Sequence, residues 1–265
     1  MKISIVTINY NNRLGLKRTI ESVLTQSWKD FEYIIIDGKS NDGSEEIIRQ
    51  HEKEIAYWVS EKDSGIYHAM NKGIKRASGE YLLFLNSGDE FFSSTVLEDQ
   101  NERINSEDLI YFDILVKDND KEFVKTYPEK LSINYLFRDT LPHPATFIKR
   151  TLFEKIGLYD ESLVIVSDWK FFISAVLKFN CTSKYVHSVL SVFYLDGISS
   201  NVENKALIKA EKTAIFENEF SLIKEEADLS IQRRNQLDEL KGKVNAFKKT
   251  YGYRILKKLN IVNGL

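Results

Sequence analysis

The sequence predicts an α/β fold: a Rossmann-like, mostly parallel sheet flanked by helices, with a C-terminal helical extension. Three observations predict it. Short β-branched runs alternate with helical periodicity over the first 85 residues, with the short connections of right-handed βαβ units. Each of these strands ends in a polar turn rich in Asn, Asp or Gly. A chain of 265 residues, 43% hydrophobic and 29% charged, suits one large α/β domain with an appendage.

Residues 2–8 (KISIVTI) are a β-branched run, expected as a central strand buried on both faces. Asn9-Tyr10-Asn11-Asn12 turns the chain, and Asn11 or Asn12 can cap a helix that places Leu14, Ile20, Val23 and Leu24 at helical spacing. Phe31 to Ile36 is the second strand, ending at Asp37-Gly38. Asn41 to Ser44 caps a helix through about Gln50, and Ile55 to Val59 is a third strand. A helix over 66–76 closes at Ser78-Gly79, and residues 80–85 form a strand that breaks into Asn86-Ser87-Gly88-Asp89.

Beyond Asp89 the pattern predicts a helix over 93–104, and strands over 109–116 and 122–127 joined at Asp118-Asn119-Asp120. A helix over 131–138 and a strand over 145–149 follow, then a helix over 167–179 and strands near 183–187 and 189–195. From Glu203 to about Phe247 the chain reads as charged helix. The expected organisation is residues 1–200 as one domain, with 1–92 as its first half and 93–200 as a second half continuous with the same sheet. Residues 201–265 form the extension.

Composition excludes several classes. A net charge of −2 gives no global field for nucleic acid. The N-terminus reads as a strand and not a signal peptide, and no window reaches the length of a membrane span. One cysteine, Cys181, allows neither an internal disulfide nor a cysteine metal cluster and suits a reducing cytoplasm. The charge is uneven: residues 240–265 hold seven Lys/Arg and no acid, leaving 30 basic against 39 acidic groups before them. Interleaved with Phe247, Tyr251, Tyr253, Ile255, Leu256, Leu259 and Ile261, residues 241–261 would make a basic amphipathic helix suited to an anionic membrane surface. A solvated terminus is the alternative, and Gly242 and Gly252 weaken the helix.

Four polar features fall at the ends of predicted parallel strands: Thr7 to Asn11, Asp37 to Ser40, Ser60 to Gly65, and Asn86 to Asp89. In an open α/β sheet that edge is where ligands bind. Any one of the four could be turn chemistry alone. No G-x-G-x-x-G follows the first strand and no Walker lysine loop occurs, which argues against a dehydrogenase and a P-loop NTPase. A nucleotide here would be held by side chains and a divalent metal.

The motifs ISIVTINYNN, SVLTQSWKDFEYIIIDGKSNDGS and SEKDSGIYHAMNKGIKRASGEYLLFLNSGDEF, in that order, resemble the family 2 glycosyltransferases of the GT-A fold. HPATFIKRTLFEKIGLYDESLVIVSDWKFF resembles the acceptor-side segment of that family and extends the likeness over about 1–195. The resemblance implies an inverting transfer from a nucleotide-diphosphate sugar, UDP-linked in the first instance, with Mg²⁺ or Mn²⁺. The acceptor would be a glycan or lipid-linked hydroxyl in bacterial surface polysaccharide assembly, at the cytoplasmic side of the membrane. It implies that Thr7 and Tyr10 contact the base, that Asp37 accepts from base or ribose, and that Asp63 and Asn71 close the nucleoside pocket. Gly88 lets the backbone pass close to the donor, Asp89 is the protein's metal ligand, and Asp168 is the catalytic base. His143 falls near the diphosphate or acceptor.

The chain also departs from the family pattern. Asp37-Gly38 stands where relatives carry paired acids, and Asn86-Ser87-Gly88-Asp89 has fewer carboxylates than usual. Met70 stands where a basic residue is frequent, and His68 reads as a surface helix residue. A sugar nucleotidyltransferase, or a GT-A protein retained for binding and weak or inactive in catalysis, are the alternatives. Trp58 and Trp169 read as core residues rather than sugar platforms, and Trp28 as packing after the first helix.

Overall fold

The computed structural model describes residues 2–118, 121–195, 202–250, Tyr253 and Lys258. The chain forms two compact units, Met1–Ile215 and Phe216–Leu265. The expected boundary at residue 200 falls on residues outside those described.

The first unit is built on β1 (Ile3–Asn9), β2 (Phe31–Asp37), β3 (Tyr57–Ser60) and β4 (Tyr81–Phe84), which are parallel in the order β3-β2-β1-β4. Every residue of β1 and β4 is buried, as continuous apolar runs require when helices cover both faces. The covering helices include α1 (Arg13–Leu24), α2 (Ser44–Gln50) and α3 (Ile66–Arg76). Asn12 caps α1 by accepting from the Gly15 N–H. Gly73 lets α3 lie directly on β1, since a Cβ there would meet Val6 Cγ1 at 2.4 Å.

The sheet continues without a break into the second half. β8 (Thr146–Lys149) runs antiparallel to β4 and to β6 (Leu109–Asp118), so β6 points the same way as β4. β9 (Ser183–Tyr194) lies parallel to β6, and β5 (Glu90–Phe91) closes that edge antiparallel to β9. β7 (Lys121–Lys125) forms a hairpin on β6. The helices of this half are α4 (Val96–Gln100), α5 (Ile133–Arg138), α6 (Arg150–Ile156) and α7 (Ser167–Leu177).

Several elements differ from the sequence expectation. The two strands expected over 183–195 are one strand with a bulge: Phe112 pairs Val186 but Asp113 pairs Val189, so His187 and Ser188 leave the register. The helix expected over 93–104 shortens to α4 and a 3-10 turn at Asn101–Arg103. β5 and α6 were not expected. Leu14, placed on the apolar face of α1 by its spacing, is 81% exposed. Trp169 is core at 1% exposed, and Trp28 and Trp58 pack against the core.

Towards the C-terminus come α8 (Lys205–Glu219) and α9 (Ser221–Lys248). The charged helix expected as continuous is interrupted at Phe220. In the second unit Leu237, Leu240 and Phe247 are exposed. Of the amphipathic helix expected over 241–261, α9 accounts for residues up to Lys248. Tyr251, Ile255, Leu256, Leu259 and Ile261 lie outside the described residues. Among the described residues no helix is long and apolar enough to cross a membrane.

Candidate active site

The C-terminal ends of β1, β2, β3 and β4 are tied to one another by side chains. Asp37, fully buried at the end of β2, is the hub. Its Oδ1 accepts from Asn9 Nδ2 at 2.8 Å and Ser40 Oγ at 2.6 Å; its Oδ2 accepts from Ser40 N at 2.9 Å and Ser60 Oγ at 2.5 Å. Four bonds fill the roughly four lone-pair positions of a carboxylate. They also hold Lys39 in the left-handed region at φ 63°, which an L-residue adopts at a cost of about 1–2 kcal/mol. The main chain at Asn11 and Asn41 is joined to the same cluster through Ser40 Oγ and Asn11 Oδ1.

Thr7 is also turned inward. Its hydroxyl donates to the Leu85 carbonyl at 2.6 Å and lies 3.0 Å from Tyr33 Oη, so it fastens β1 to β4 inside the sheet. At this strand end the side chain open to solvent is Tyr10, 69% exposed and lying over Gly38.

Asp63, in the turn between β3 and α3, also lies beside Gly38. Its Oδ1 takes Lys72 Nζ at 2.6 Å and His68 Nδ1 at 2.8 Å. Its Oδ2 is buried with no hydrogen-bond partner, 3.5 Å from where a Gly38 Cβ would stand. An uncompensated buried carboxylate oxygen is costly, so this acceptor is set for a donor. The Lys72 ammonium is held above its ordinary range: burial opposes the charge, and bonds to Asp63 and Glu61 outweigh it. Asn71, by contrast, is satisfied within the protein. Its amide donates to the Tyr159 carbonyl at 2.9 Å and Glu161 Oε1 at 2.8 Å and accepts from Tyr159 N, clamping the loop that leads to α7. Met70 is buried at 1% exposure.

The turn Asn86–Asp89 is gripped by α1. Asn12 Nδ2 donates to the Ser87 carbonyl at 3.1 Å, and Arg18 Nη2 to the Gly88 carbonyl at 2.5 Å. The hydroxyl of Thr19, a polar residue on the buried face of α1, donates to the Asp89 carbonyl at 2.6 Å and accepts from Gly88 N at 3.0 Å. Gly88 has φ 111°, a conformation that favours glycine. Arg18 also lies 3.8 Å over the Tyr194 ring, and Tyr194 donates to Glu90 Oε1 at 2.7 Å, so Glu90 is engaged in the structure.

Asp89 is 8% exposed, and Asn86 Oδ1 is buried without a hydrogen-bond partner in the same turn. A carboxylate and an amide oxygen suit a hard cation such as Mg²⁺ or Mn²⁺ that keeps most of its shell for water and phosphate. Among the described residues no group of three or more His, Cys, Asp or Glu side chains could hold a metal by itself.

Asp168, in the first turn of α7, is brought to this edge by contacts from both halves. Tyr67 of α3 places its hydroxyl 2.9 Å from Oδ1, and His143 places Nδ1 3.5 Å from Oδ2. The His143 ring packs between Phe84 of β4 and Phe172 of α7, each at 5.6 Å between centroids. Burial lowers the pKa of His143 below its ordinary value, and the charge of Asp168 only partly opposes this. The imidazole is therefore neutral. Its Nε2 lies 3.2 Å from Tyr159 Oη, and its Nδ1 faces Asp168.

Helix α7 has no side-chain cap of its own. Glu211 of α8 supplies the anion instead, accepting from the backbone N–H groups of Val164, Ile165 and Val166 at 2.6, 3.1 and 3.3 Å. The next residue, Lys212, lies 4.7 Å over the Trp169 ring. The sequence reading missed Asn12 as a turn ligand, Arg18, Thr19, Tyr67, Lys72 and Glu211. Only Thr19, a hydroxyl on an apolar helix face, carried a visible signal.

Residues 4–165 match the family model described as glycosyl transferase family 2. An uncharacterized glycosyltransferase of Mycobacterium tuberculosis is 34% identical over 213 residues, covering 77% of this chain and 79% of its own. A PGL/p-HBAD biosynthesis glycosyltransferase of Mycobacterium bovis is 27% identical over 214 residues, covering 78% of this chain and 82% of its own. Among solved structures, S. aureus TarS 1-349 in complex with UDP-GlcNAc superposes with a TM-score of 0.61 at 19% identity, over 73% of this chain and 58% of that one. The mannosyltransferase PcManGT from Pyrobaculum calidifontis, in complex with GDP-Man and Mn²⁺, gives 0.58 at 12% identity, over 97% and 83%. At these identities the structural likeness speaks to the fold, which is the GT-A fold expected from the motifs. The chain belongs to glycosyl transferase family 2.

Proposed function

We propose that the protein transfers a sugar, with inversion, from a UDP-sugar to a hydroxyl of a glycan or lipid-linked acceptor in surface polysaccharide assembly, with Asp168 as the base. The observation that carries this reading is the seating of Asp168: a carboxylate held by Tyr67 from the nucleotide half, with His143 linking it to β4 just before the Asn86–Asp89 turn. The TarS complex with UDP-GlcNAc and the PcManGT complex with GDP-Man and Mn²⁺ support a nucleotide sugar as donor and a divalent cation as cofactor.

In this reading the nucleobase stacks on Tyr10 and donates a hydrogen bond to the open Oδ2 of Asp63, while Asp37, Thr7 and Asn71 shape the pocket from behind. Gly88 brings backbone close to the diphosphate. A divalent cation, when bound by Asp89 with Asn86 Oδ1, neutralises charge developing on the leaving diphosphate. The acceptor oxygen attacks the anomeric carbon from the face opposite the diphosphate. The carbon–oxygen bond to phosphate breaks and its electron pair leaves with the nucleoside diphosphate. The acceptor proton passes to Asp168 Oδ2, since Oδ1 is engaged by Tyr67.

The test is sugar transfer across a panel of nucleotide sugars with purified protein. Asp168→Asn should lower kcat by about 10²–10⁴ while leaving UDP affinity by calorimetry intact. Asp89→Ala should remove the Mn²⁺-dependent part of UDP binding. Full turnover in both variants would refute the assignment.

A further inference from the structure

The hydroxyl of Tyr67 has two acceptors and one proton. It lies 2.9 Å from Asp168 Oδ1 and in hydrogen-bond contact with the backbone carbonyl of Ile165, in a residue that is 5% exposed, while the backbone N–H groups of Ser167 and Asp168 face its oxygen. A phenol donates to one oxygen at a time. Which one wins depends on the charge of Asp168: an ionised carboxylate is a stronger acceptor than a peptide carbonyl, and a neutral carboxylic acid is a weaker one.

We infer that Tyr67 is a positioning residue that follows the protonation state of Asp168. It donates to Oδ1 while the carboxylate is charged and turns its proton to the Ile165 carbonyl once Asp168 has taken the acceptor proton. This rests on Asp168 as the base. The arrangement does two things for the reaction. It fixes Oδ1, leaving Oδ2 as the oxygen that meets the acceptor, and it gives the base a partner in both charge states without moving α7. Tyr67 also stays protonated throughout, because burial and the neighbouring Asp168 charge both raise its pKa.

The groups whose charge or dipole bears on Asp168 come from four elements: Tyr67 from α3, neutral His143 from the 3-10 turn before β8, Tyr159 from the loop before α7, and Lys212 from α8. Only Tyr67 makes a hydrogen bond of normal length to it among the described residues.

Two variants pull the hydroxyl in opposite directions. Tyr67→Phe removes the donor, so kcat should fall roughly ten- to a hundredfold with the donor KM held. The acidic limb of the pH profile of kcat/KM should move up by about one pH unit. Incorporating 3-fluorotyrosine at position 67 keeps size and fold but makes the phenol a stronger donor, and the acidic limb should move down. A purely structural role would not move the limb in opposite directions, and if the Phe variant does not fold, the fluorinated protein decides alone. Acidic limbs that superpose on wild type, or that shift the same way in both variants, overturn the inference. Asp168→Asn turning over at the wild-type rate would instead overturn the base assignment beneath it.

Discussion

Asp37 offers the sharpest test of how the strand ends are organised. Its carboxylate accepts four bonds, two from donors that cannot reverse as they stand (Asn9 Nδ2 and Ser40 N) and two from serine hydroxyls that can rotate. In Asp37→Ala the Ser40 N–H is orphaned in a fully buried place, and Asn9 Nδ2 keeps only its 3.2 Å bond to Ser40 Oγ. At about 1–3 kcal/mol for the unsatisfied N–H and about 1 kcal/mol for the bond lost by Asn9, the loss is about 2–4 kcal/mol, a large part of the ~5–15 kcal/mol that holds a domain together. Asp37→Asn should cost much less. With its amide nitrogen in the place of Oδ1, Ser40 Oγ can accept, and the Asn9 amide can turn its Oδ1, now buried without a partner, towards the new donor. The assay is urea unfolding of the three proteins, with and without UDP. An alanine variant within about 1 kcal/mol of wild type, or an asparagine variant as unstable as the alanine one, would refute the reasoning.

The other predictions concern the rest of the site. Gly88→Ala meets its nearest atom, Asn12 Nδ2, only at 3.4 Å, so its cost should come from φ 111° alone, about 1–2 kcal/mol; a neutral result in thermal unfolding would place the strain elsewhere. Glu211→Gln keeps one acceptor of the pair beneath Val164–Val166 but removes its charge, so it should lower stability by about 1–2 kcal/mol and lower kcat more than it raises donor KM. Equal effects on both would show that it does not act through Asp168. His143 is neutral in the folded state with a lowered pKa, so the unfolded chain takes up the proton first as pH falls. Its contribution is therefore complete above about pH 6.5 and declines below it by up to about 1.4 kcal/mol per unit, until the folded value is reached. Urea unfolding at pH 7.5 and 5.5 should show a smaller pH dependence in His143→Gln, and an unchanged slope would count against a buried neutral imidazole.

The sequence carried the frame of the fold because its signals are local. Buried parallel strands read as the unbroken runs of β1 and β4, and the turns beyond them read as clusters of Asn, Asp and Gly. It did not carry which polar residue faces outward. Asp37 and Asp63 are both acids at strand ends, yet one is saturated by neighbours and the other keeps an open oxygen. That difference depends on Asn9, Ser40 and Ser60, three residues on three different segments. Distance along the chain hid the rest. Glu211 lies 45 to 47 residues from the N–H groups it accepts, and Tyr67 lies 101 residues from Asp168. β5 is too short, at two residues, for any periodicity to mark it.

The thinned acidic turn makes more sense once its supports are counted. In sites that fold around a metal, the carboxylates and the ion must hold the loop together. Here three side chains of one helix, Asn12, Arg18 and Thr19, bind the carbonyls of Ser87, Gly88 and Asp89. The shape of the turn is thus fixed by α1 before any cation arrives. Under the proposed function, Asp89 and the unpartnered oxygen of Asn86 would present oxygen ligands at a prepared place, while a diphosphate would supply further ones. A turn organised this way keeps its geometry with a single carboxylate, because Asn12, Arg18 and Thr19 hold its carbonyls.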